Sequence, residues 1–583
     1  MPIQLKQLRV HGFRGLDNLE IDFEPTTVLV GTNNAGKTTL LKSLQLCLSN
    51  TLQITDDDFH FSDSIIRDKI VIDLLFISVD EEGNQIAEFE DKWATVFTVD
   101  RISIDSEGNQ LLAFRTAIEE NLIRKTYKKK QFVIDEWGEF HNEVDGYWYS
   151  KSYEKELSFY FDEIPFFYLD ANRDILDDLK NKTSFLGKIL SSISYNTEDK
   201  ELIERLIKEL NETTIDRSEI LTNLARTLEE LDTAMDNPHN TVDITPFTKK
   251  IRDLNKGVKI NYSQFSMEYH GMGTRSWSSL LILKAFILQN MNLATQNQVA
   301  YYPLIAIEEP ESHLHPNAQK KLYSQINAIV GQKIIATHSS YIAGSAKLKE
   351  VRSVYRDTSD ISIGKFIESD FDKEDIRKIY RQVINTRGEL FFSKLVVLFE
   401  GETEEQALPI TIKRHFNKSP IELGVDFIGV GGSGNYLPFI RFFEAFNIPY
   451  LIFSDNEPET NASVVTQISK SKLNDINRVV FLTAGNDFEK ELCDNCYIDE
   501  VKKAYHNLML SECLNAQHRT AKQAELNLIP NNDYYGLVTS LKTQFAPNIG
   551  HELYESKKPL PPKIVELFEK VHIILNHTSN EKY

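Results

Sequence analysis

The chain has 583 residues, 41% of them hydrophobic and 26% charged, which is a globular composition too long for one ordinary core, so two or three domains are expected. Its formal net charge of −21 argues against a protein coated in nucleic acid, although a local basic groove can coexist with an acidic remainder. The chain holds no unbroken apolar run of membrane-spanning length, enters an alternating strand at once without a signal-peptide layout, and carries four cysteines; a cytoplasmic location with no membrane partner is expected.

Ile3 to Val10 alternates like a half-buried strand, and Thr27-Val28-Leu29-Val30 is a second strand. The second leads into Gly31-Thr32-Asn33-Asn34-Ala35-Gly36-Lys37-Thr38, after which Leu40, Leu41, Leu44 and Leu46 suit a helix. Strand, glycine loop, helix is the context that a nucleotide-binding P-loop needs. Gly31, Asn33, Asn34, Gly36 and Thr39 are expected to frame the phosphates of ATP, with backbone N–H groups and the helix N-terminus as donors. Lys37 would neutralise the β/γ oxygens, and the Thr38 hydroxyl would ligate Mg²⁺.

Residues 65–150 hold several alternating strands, with turn signals at Glu81-Glu82-Gly83-Asn84 and Ser106-Glu107-Gly108-Asn109. The basic stretch Arg124-Lys125 and Lys128-Lys129-Lys130 suits a solvated hairpin, with contact to DNA as the sharper alternative. From about 174 to 236 the pattern is helical. Leu202, Ile203, Leu206, Ile207 and Leu210 make one apolar stripe, and Leu221, Leu224, Leu228, Leu231 and Met235 a second at heptad spacing, which suits either ordinary packing or dimerisation.

Gly271-Met272-Gly273-Thr274-Arg275-Ser276 precedes a helix expected to begin near Ser278. Leu304 to Glu308 is an apolar strand ending in Glu308-Glu309-Pro310-Glu311; Glu308 would hold Mg²⁺ through water, and Glu309 would orient or deprotonate the attacking water. Lys333 to Ser339 is another strand, ending at His338, which is placed to sense a γ-phosphate.

In order, Phe13-Arg14-Gly15, the P-loop, Gly271 to Ser276, Glu308 to Glu311, Leu314-His315-Pro316 and Thr337-His338-Ser339 resemble the ABC ATPase heads of the SMC and RecF type. That resemblance implies a signature loop in which Gly273 acts on a neighbouring nucleotide. Two departures stand out. Glu308 replaces the usual aspartate, and the Q-loop residue is open between Gln53 and Asp58.

Beyond Tyr380 the pattern restarts. Leu395 to Phe399 is a continuous apolar strand suited to the centre of a parallel sheet, and it ends at Glu400-Gly401-Glu402-Thr403-Glu404. Val425 to Val430 opens into Gly431-Gly432-Ser433-Gly434-Asn435, and Pro449 to Phe453 into Ser454-Asp455-Asn456-Glu457. Acids at strand ends along one sheet edge stand where open α/β sheets bind ligands. Glu400, Glu404, Asp455 and Glu457 are oxygen ligands of the kind that favour Mg²⁺ or Mn²⁺ over zinc and suit two-metal phosphodiester chemistry. Cys493, Cys496, Cys513 and His518 have the residue types for zinc, but the first two are expected on one helix and read better as ordinary thiols.

This half resembles the Toprim domain, and ABC ATPase followed by Toprim resembles the OLD (overcoming lysogenisation defect) family of bacterial and phage nucleases. The resemblance covers the whole chain. It implies that Glu489, within Asn486-Asp487-Phe488-Glu489, is a further metal ligand and that Lys542 is a catalytic lysine. Glu457 departs from the usual Asp-x-Asp. The fold expected is an α/β ABC/SMC-like ATPase head with a helical insertion followed by a Rossmann-like Toprim domain. Its parts are 1–173 and 241–385 for the ATPase, 174–240 for the insertion and 386–583 for the Toprim domain. The function implied is an ATP-regulated, divalent-metal-dependent DNA endonuclease in anti-phage defence, a homodimer or higher homo-oligomer. Some relatives add a helicase-like partner (Gabija) or a retron RNA–DNA hybrid. The competing reading is a non-catalytic, ATP-gated DNA-binding or assembly protein with a degenerate Toprim site. A primase or topoisomerase ranks below both, since neither a zinc-ribbon module nor a tyrosine domain is recognisable.

Overall fold

The computed structural model describes residues 3–49, 54–138, 161–219, 261–384 and 387–580, except for short gaps at 63–64, 67–68, 81–82, 122–125, 181–183, 185–187, 189–195, 263–264 and 358–359. The described residues fall into two compact units, one of 1–168, 304–311 and 316–583, the other of 169–303 and 312–315. Arg124, Lys125, Gln53 and the Leu221–Met235 stripe lie outside the described residues.

Three sheets organise the first unit. One is antiparallel, with Leu19–Asp22, Ile3–His11, Lys69–Ser78, Gln110–Asn121 and Ser103–Ile104 in that order and Thr126–Val133 also paired to Gln110–Asn121. The second runs Phe166–Leu169, Leu304–Glu308, Gln332–Ala336, Thr26–Val30, Val351–Asp357 and Asp360–Lys365. Its central strands are parallel, and every residue of Thr26–Val30 and Gln332–Ala336 is buried, as strands covered on both faces require. This layering puts the chain ends after Val30, Glu308 and Ala336 side by side.

The third sheet is wholly parallel, in the order Val425–Gly429, Leu395–Phe399, Tyr450–Ser454 and Val479–Phe481. From Leu395–Phe399 the chain first crosses to one side, then returns to the other. The order therefore reverses between Leu395–Phe399 and Tyr450–Ser454, and the crevice at such a reversal is the usual ligand site of an open α/β sheet. Glu400 and Asp455 are the first residues after these two strands. Helices Glu402–Phe416, Lys542–Glu555 and Pro562–Asn580 cover the sheet with a core that includes Leu408, Phe545, Ile549 and Phe568.

In the second unit the helix expected near Ser278 begins earlier, at Met272, and runs to Gln296 with Gly271 as its N-cap. Gly273 therefore sits in a first helical turn and not in a loop. A Cβ there would lie 2.4 Å from the His313 carbonyl oxygen, so the backbone approach demands glycine whatever its helix propensity. Helix Thr197–Asp216 carries the Leu202 stripe, but Leu202, Leu206 and Leu210 are exposed while Ile207 is buried. Among the described residues, no helix is long and apolar enough to cross a membrane.

Candidate functional site

The P-loop joins strand Thr26–Val30 to helix Lys37–Leu48. Gly31 has φ 151°, and a Cβ there would meet the Val354 carbonyl oxygen at 2.2 Å; Gly36 has φ 104°. Only glycine tolerates both. Lys37 Nζ donates to Gly31 O at 2.9 Å and Thr32 O at 3.0 Å, curling the loop around its ammonium. Burial pulls Lys37 down to about 8, against Glu309, Glu311 and Glu308, which favour the charge. An anionic phosphate would supply the compensation that two carbonyls give only in part.

Glu308, Glu309 and His338 line one cavity of about 450 Å³ with Asn33, Asn34, Lys37, Thr38 and Thr39. The Thr38 hydroxyl donates directly to Glu308 Oε1, so the two groups expected around a Mg²⁺ are in contact. The Tyr168 hydroxyl donates to the other Glu308 oxygen and orients that carboxylate. Glu309 has φ 41°, a left-handed backbone uncommon for glutamate, and its N–H donates to Ala336 O at 2.8 Å. Glu311 accepts from the Thr337 hydroxyl at 2.8 Å and the His338 N–H at 2.7 Å, which fixes the turn presenting the imidazole. Burial lowers the His338 pKa, helped by Lys37 and opposed by Glu309. Asp58 is tied to Arg14, whose Nε and Nη2 approach it at 2.8 and 2.7 Å.

The second cluster lies at the carboxyl edge of the parallel sheet. Glu400 accepts from the Ser454 hydroxyl at 2.9 Å and the Tyr436 hydroxyl at 3.4 Å. Burial raises its pKa, with Glu457 adding to the rise. Glu404, on the first turn of Glu402–Phe416, folds back over Gly401, where a Cβ would stand 2.6 Å from its carboxylate. The glycine after Glu400 makes room for Glu404. Glu489, 1% exposed, accepts from the Thr403 hydroxyl at 2.6 Å and pairs with Lys542 at 2.9 Å. Asp487 caps helix Phe488–Asp494, accepts from the Tyr535 hydroxyl at 3.1 Å, and lies 3.7 Å from Lys542. Asp455 Oδ1 is buried without a hydrogen-bond donor.

Burial and neighbouring carboxylates push Glu404 up to about 8 and Asp455 to about 9. Burial works against the Lys542 charge, but Glu489, Asp487 and Asp455 hold its pKa above the usual lysine value. The cluster is short of positive charge. Its oxygen-only donors and the orphaned Asp455 oxygen fit a divalent cation in chemistry. Among the described residues no three Asp, Glu, His or Cys side chains close on one point, so these acids share a field without forming a closed ligand set.

A family model described as AAA ATPase domain matches residues 4–343, more than half of the chain. The chain belongs to this ATPase family. A second family model, the TOPRIM domain of overcoming lysogenization defect protein-like (OLD-like) sequences, matches residues 391–456, from the segment before Glu400 to just past Asp455. The protein is an OLD-type chain in which an ATPase domain precedes a TOPRIM domain. Among its relatives, Old nuclease of Escherichia phage P2 is 23% identical over 492 residues, covering 78% of this chain and 77% of that protein. Endonuclease GajA of Bacillus cereus (strain HuB5-5) is 24% identical over 542 residues, 78% of this chain and 77% of that one. OLD nuclease of Thermus scotoductus is 21% identical over 485 residues, 78% and 82%.

In this OLD-type chain the sites contain residues that spacing alone does not disclose. Arg356 and Ile361, from the hairpin of Val351–Asp357 and Asp360–Lys365, line the nucleotide cavity beside Gly15 and Gly36. Tyr168, Thr403, Tyr436 and Ser454 each touch a site carboxylate, and Asp487, which accepts from Tyr535, lies 3.7 Å from Lys542. Glu457, by contrast, is exposed and serves as N-cap of helix Pro458–Ser469. Gly273 belongs to the second unit and is not among the residues lining the nucleotide cavity. Cys496 lies beyond the end of helix Phe488–Asp494 at φ 68°, so it does not share that helix with Cys493. Lys129 Nζ donates to Leu46 O and Ser49 O, which occupies the middle lysine of the basic run inside the fold.

Proposed function

We propose that the chain is an ATP-regulated, divalent-metal-dependent DNA endonuclease. The observation that carries this reading is the largely buried, charge-deficient carboxylate cluster at the switch point of the parallel sheet, with Glu400 and Asp455 just after the two flanking strands and Lys542 against Glu489. Glu400, Glu404, Asp455 and Glu489 would hold Mg²⁺ or Mn²⁺, with Glu457 at the exposed rim. Such ions activate water and neutralise a leaving oxygen in phosphodiester hydrolysis. Ser454 and Tyr436 orient Glu400, Thr403 orients Glu489, and Lys542 offers an ammonium toward charge that develops on a phosphoryl group.

In the ATPase domain, Thr38 and Glu308 would hold Mg²⁺, Lys37 the phosphates, Glu309 the attacking water and His338 the γ-phosphate. ATP and DNA are the ligands this reading requires. A homodimer or larger homo-oligomer follows from the role of Gly273 toward a neighbouring site, and anti-phage defence in the cytoplasm, with or without a helicase-like or retron partner, is the setting that the OLD resemblance implies. The exposure of Glu457 favours a second reading, a non-catalytic ATP-gated DNA-binding or assembly protein.

Incubation of the pure protein with supercoiled, linear and single-stranded DNA, with metal and nucleotide varied independently, separates the two. Cutting that needs Mg²⁺ or Mn²⁺ and stops with EDTA supports the nuclease; binding without cutting under every condition supports the second reading.

A further inference from the structure

One wall of the nucleotide cavity touches the segment that carries the carboxylate centre. His338 lines the cavity near Lys37 and Glu309. Its ring lies 6.3 Å, centroid to centroid, from the ring of Phe392, tilted by 37°. Phe392 ends the short 3-10 helix Gly388–Phe392, and Ser393 and Lys394 alone separate it from strand Leu395–Phe399. Glu400 is the next residue. One ring contact and one continuous strand thus connect the γ-phosphate end of the nucleotide site to a proposed metal ligand.

The 3-10 helix is gripped at its start from two sides. A Cβ on Gly388 would stand 2.4 Å from the Ser340 carbonyl oxygen and 3.2 Å from Gly344 Cα, so the segment lies directly against helix Ser340–Ser345, which starts two residues after His338. Arg387, just before the 3-10 helix, donates to Phe427 O at 3.0 Å and pairs with Glu405 at 3.8 Å. Those contacts reach strand Val425–Gly429 and the helix that carries Glu404. Phe391 packs its ring against Phe442 and Phe446 at 5.5 and 5.1 Å, which accounts for Phe391 as core. Phe392 is only half-buried and faces His338. Packing of this density passes displacement between discrete arrangements and does not absorb it.

We propose that Phe392 is the positioning residue through which the nucleotide state at His338 reaches Glu400 and Glu404. The proposal rests on the regulated-nuclease reading and names its route. A ligand shifts an equilibrium only through contacts it makes in one state and not the other. ATP differs from ADP by the γ-phosphate that His338 is placed to meet, so the imidazole is where that difference enters. Phe392 follows the ring, the 3-10 helix follows Phe392, and the strand delivers the movement to the sheet edge.

The test uses the full chain with Phe392→Ala and, to keep bulk without the aromatic ring, Phe392→Leu. Backbone amide exchange across 388–399 is measured with ATP, with ADP and without nucleotide, next to ATP affinity and metal-dependent DNA cutting. The expected result is that ATP, and not ADP, changes protection of 388–399 in the wild type. In both variants that change is lost, ATP affinity stays within about twofold, and the ratio of cutting rates with and without ATP falls to within about twofold of unity. Protection that ignores ATP in the wild type, or an ATP response that survives in both variants, overturns the proposal. The exchange readout does not depend on cutting: a wild-type chain that never cuts DNA refutes the nuclease reading, while a chain that cuts but lacks the ATP response refutes the route alone.

Discussion

Lys542 Nζ lies 2.9 Å from a carboxylate oxygen of Glu489, a residue that is 1% exposed. The pair joins the first turns of two helices, Lys542–Glu555 and Phe488–Asp494. The lysine neutralises a buried acid in the metal-free protein. Under the proposed function it would also present an ammonium where phosphoryl charge develops.

The first prediction follows from that double role. Lys542→Ala should lower the cutting rate tenfold or more, which is about 1.4 kcal/mol of transition-state stabilisation. It also strips the buried Glu489 of its cation, so the metal-free variant should lose on the order of 1–2 kcal/mol of stability, a figure discounted because the lysine is partly exposed. Thermal melts with EDTA and with Mg²⁺, read beside cutting rates, check both effects: Mg²⁺ should raise the melting temperature more in the variant than in the wild type. A surface lysine would change neither quantity.

Arg356 lines the nucleotide cavity with Gly15 and Ile361, its Nη2 3.2 Å from where a Cβ on Gly15 would stand. Arg356→Ala should therefore weaken ATP and ADP alike, by roughly tenfold or about 1.4 kcal/mol. Calorimetric titration with both nucleotides is the check. A loss confined to ATP would move Arg356 to the γ-phosphate end.

Glu309→Gln should bind ATP but hydrolyse it slowly, since its carboxylate is the group assigned to the attacking water. Held in that state, the chain should be a dimer or larger at micromolar concentration by light scattering. A monomer with and without ATP would remove the neighbouring-site role assigned to Gly273.

How much of this was legible in the residues depends on distance along the chain. The P-loop, Glu308-Glu309 and His338 each follow an apolar strand within a few residues, and so do Glu400 and Asp455. Period-2 or fully apolar runs locate the strand ends, and parallel pairing then brings those ends together. The partners that orient these groups come from elsewhere: Tyr168 lies 140 residues from Glu308, and Thr403 lies 86 from Glu489. No spacing marks them, because a single hydroxyl reaching a buried carboxylate leaves no pattern in its own neighbourhood. Helix Met272–Gln296 starts earlier than its residues suggest for a different reason. Gly271 and Gly273 read as loop by propensity, whereas Gly273 is there because the His313 backbone passes within 2.4 Å of where its Cβ would be. Tertiary approach outweighed local preference.

The central claim is that two chemically separate sites share this chain, one cutting and one governing. The most direct measurement is nicking of supercoiled DNA by wild type, Asp455→Ala and Lys37→Ala in Mg²⁺, with ATP binding assayed on the same preparations. Asp455→Ala should bind ATP as the wild type does and produce no nicked circles. Lys37→Ala should fail to bind ATP yet still nick in a metal-dependent way, at a rate that no longer responds to nucleotide. Wild-type nicking by Asp455→Ala, or loss of metal-dependent nicking together with intact ATP binding in Lys37→Ala, would contradict the account.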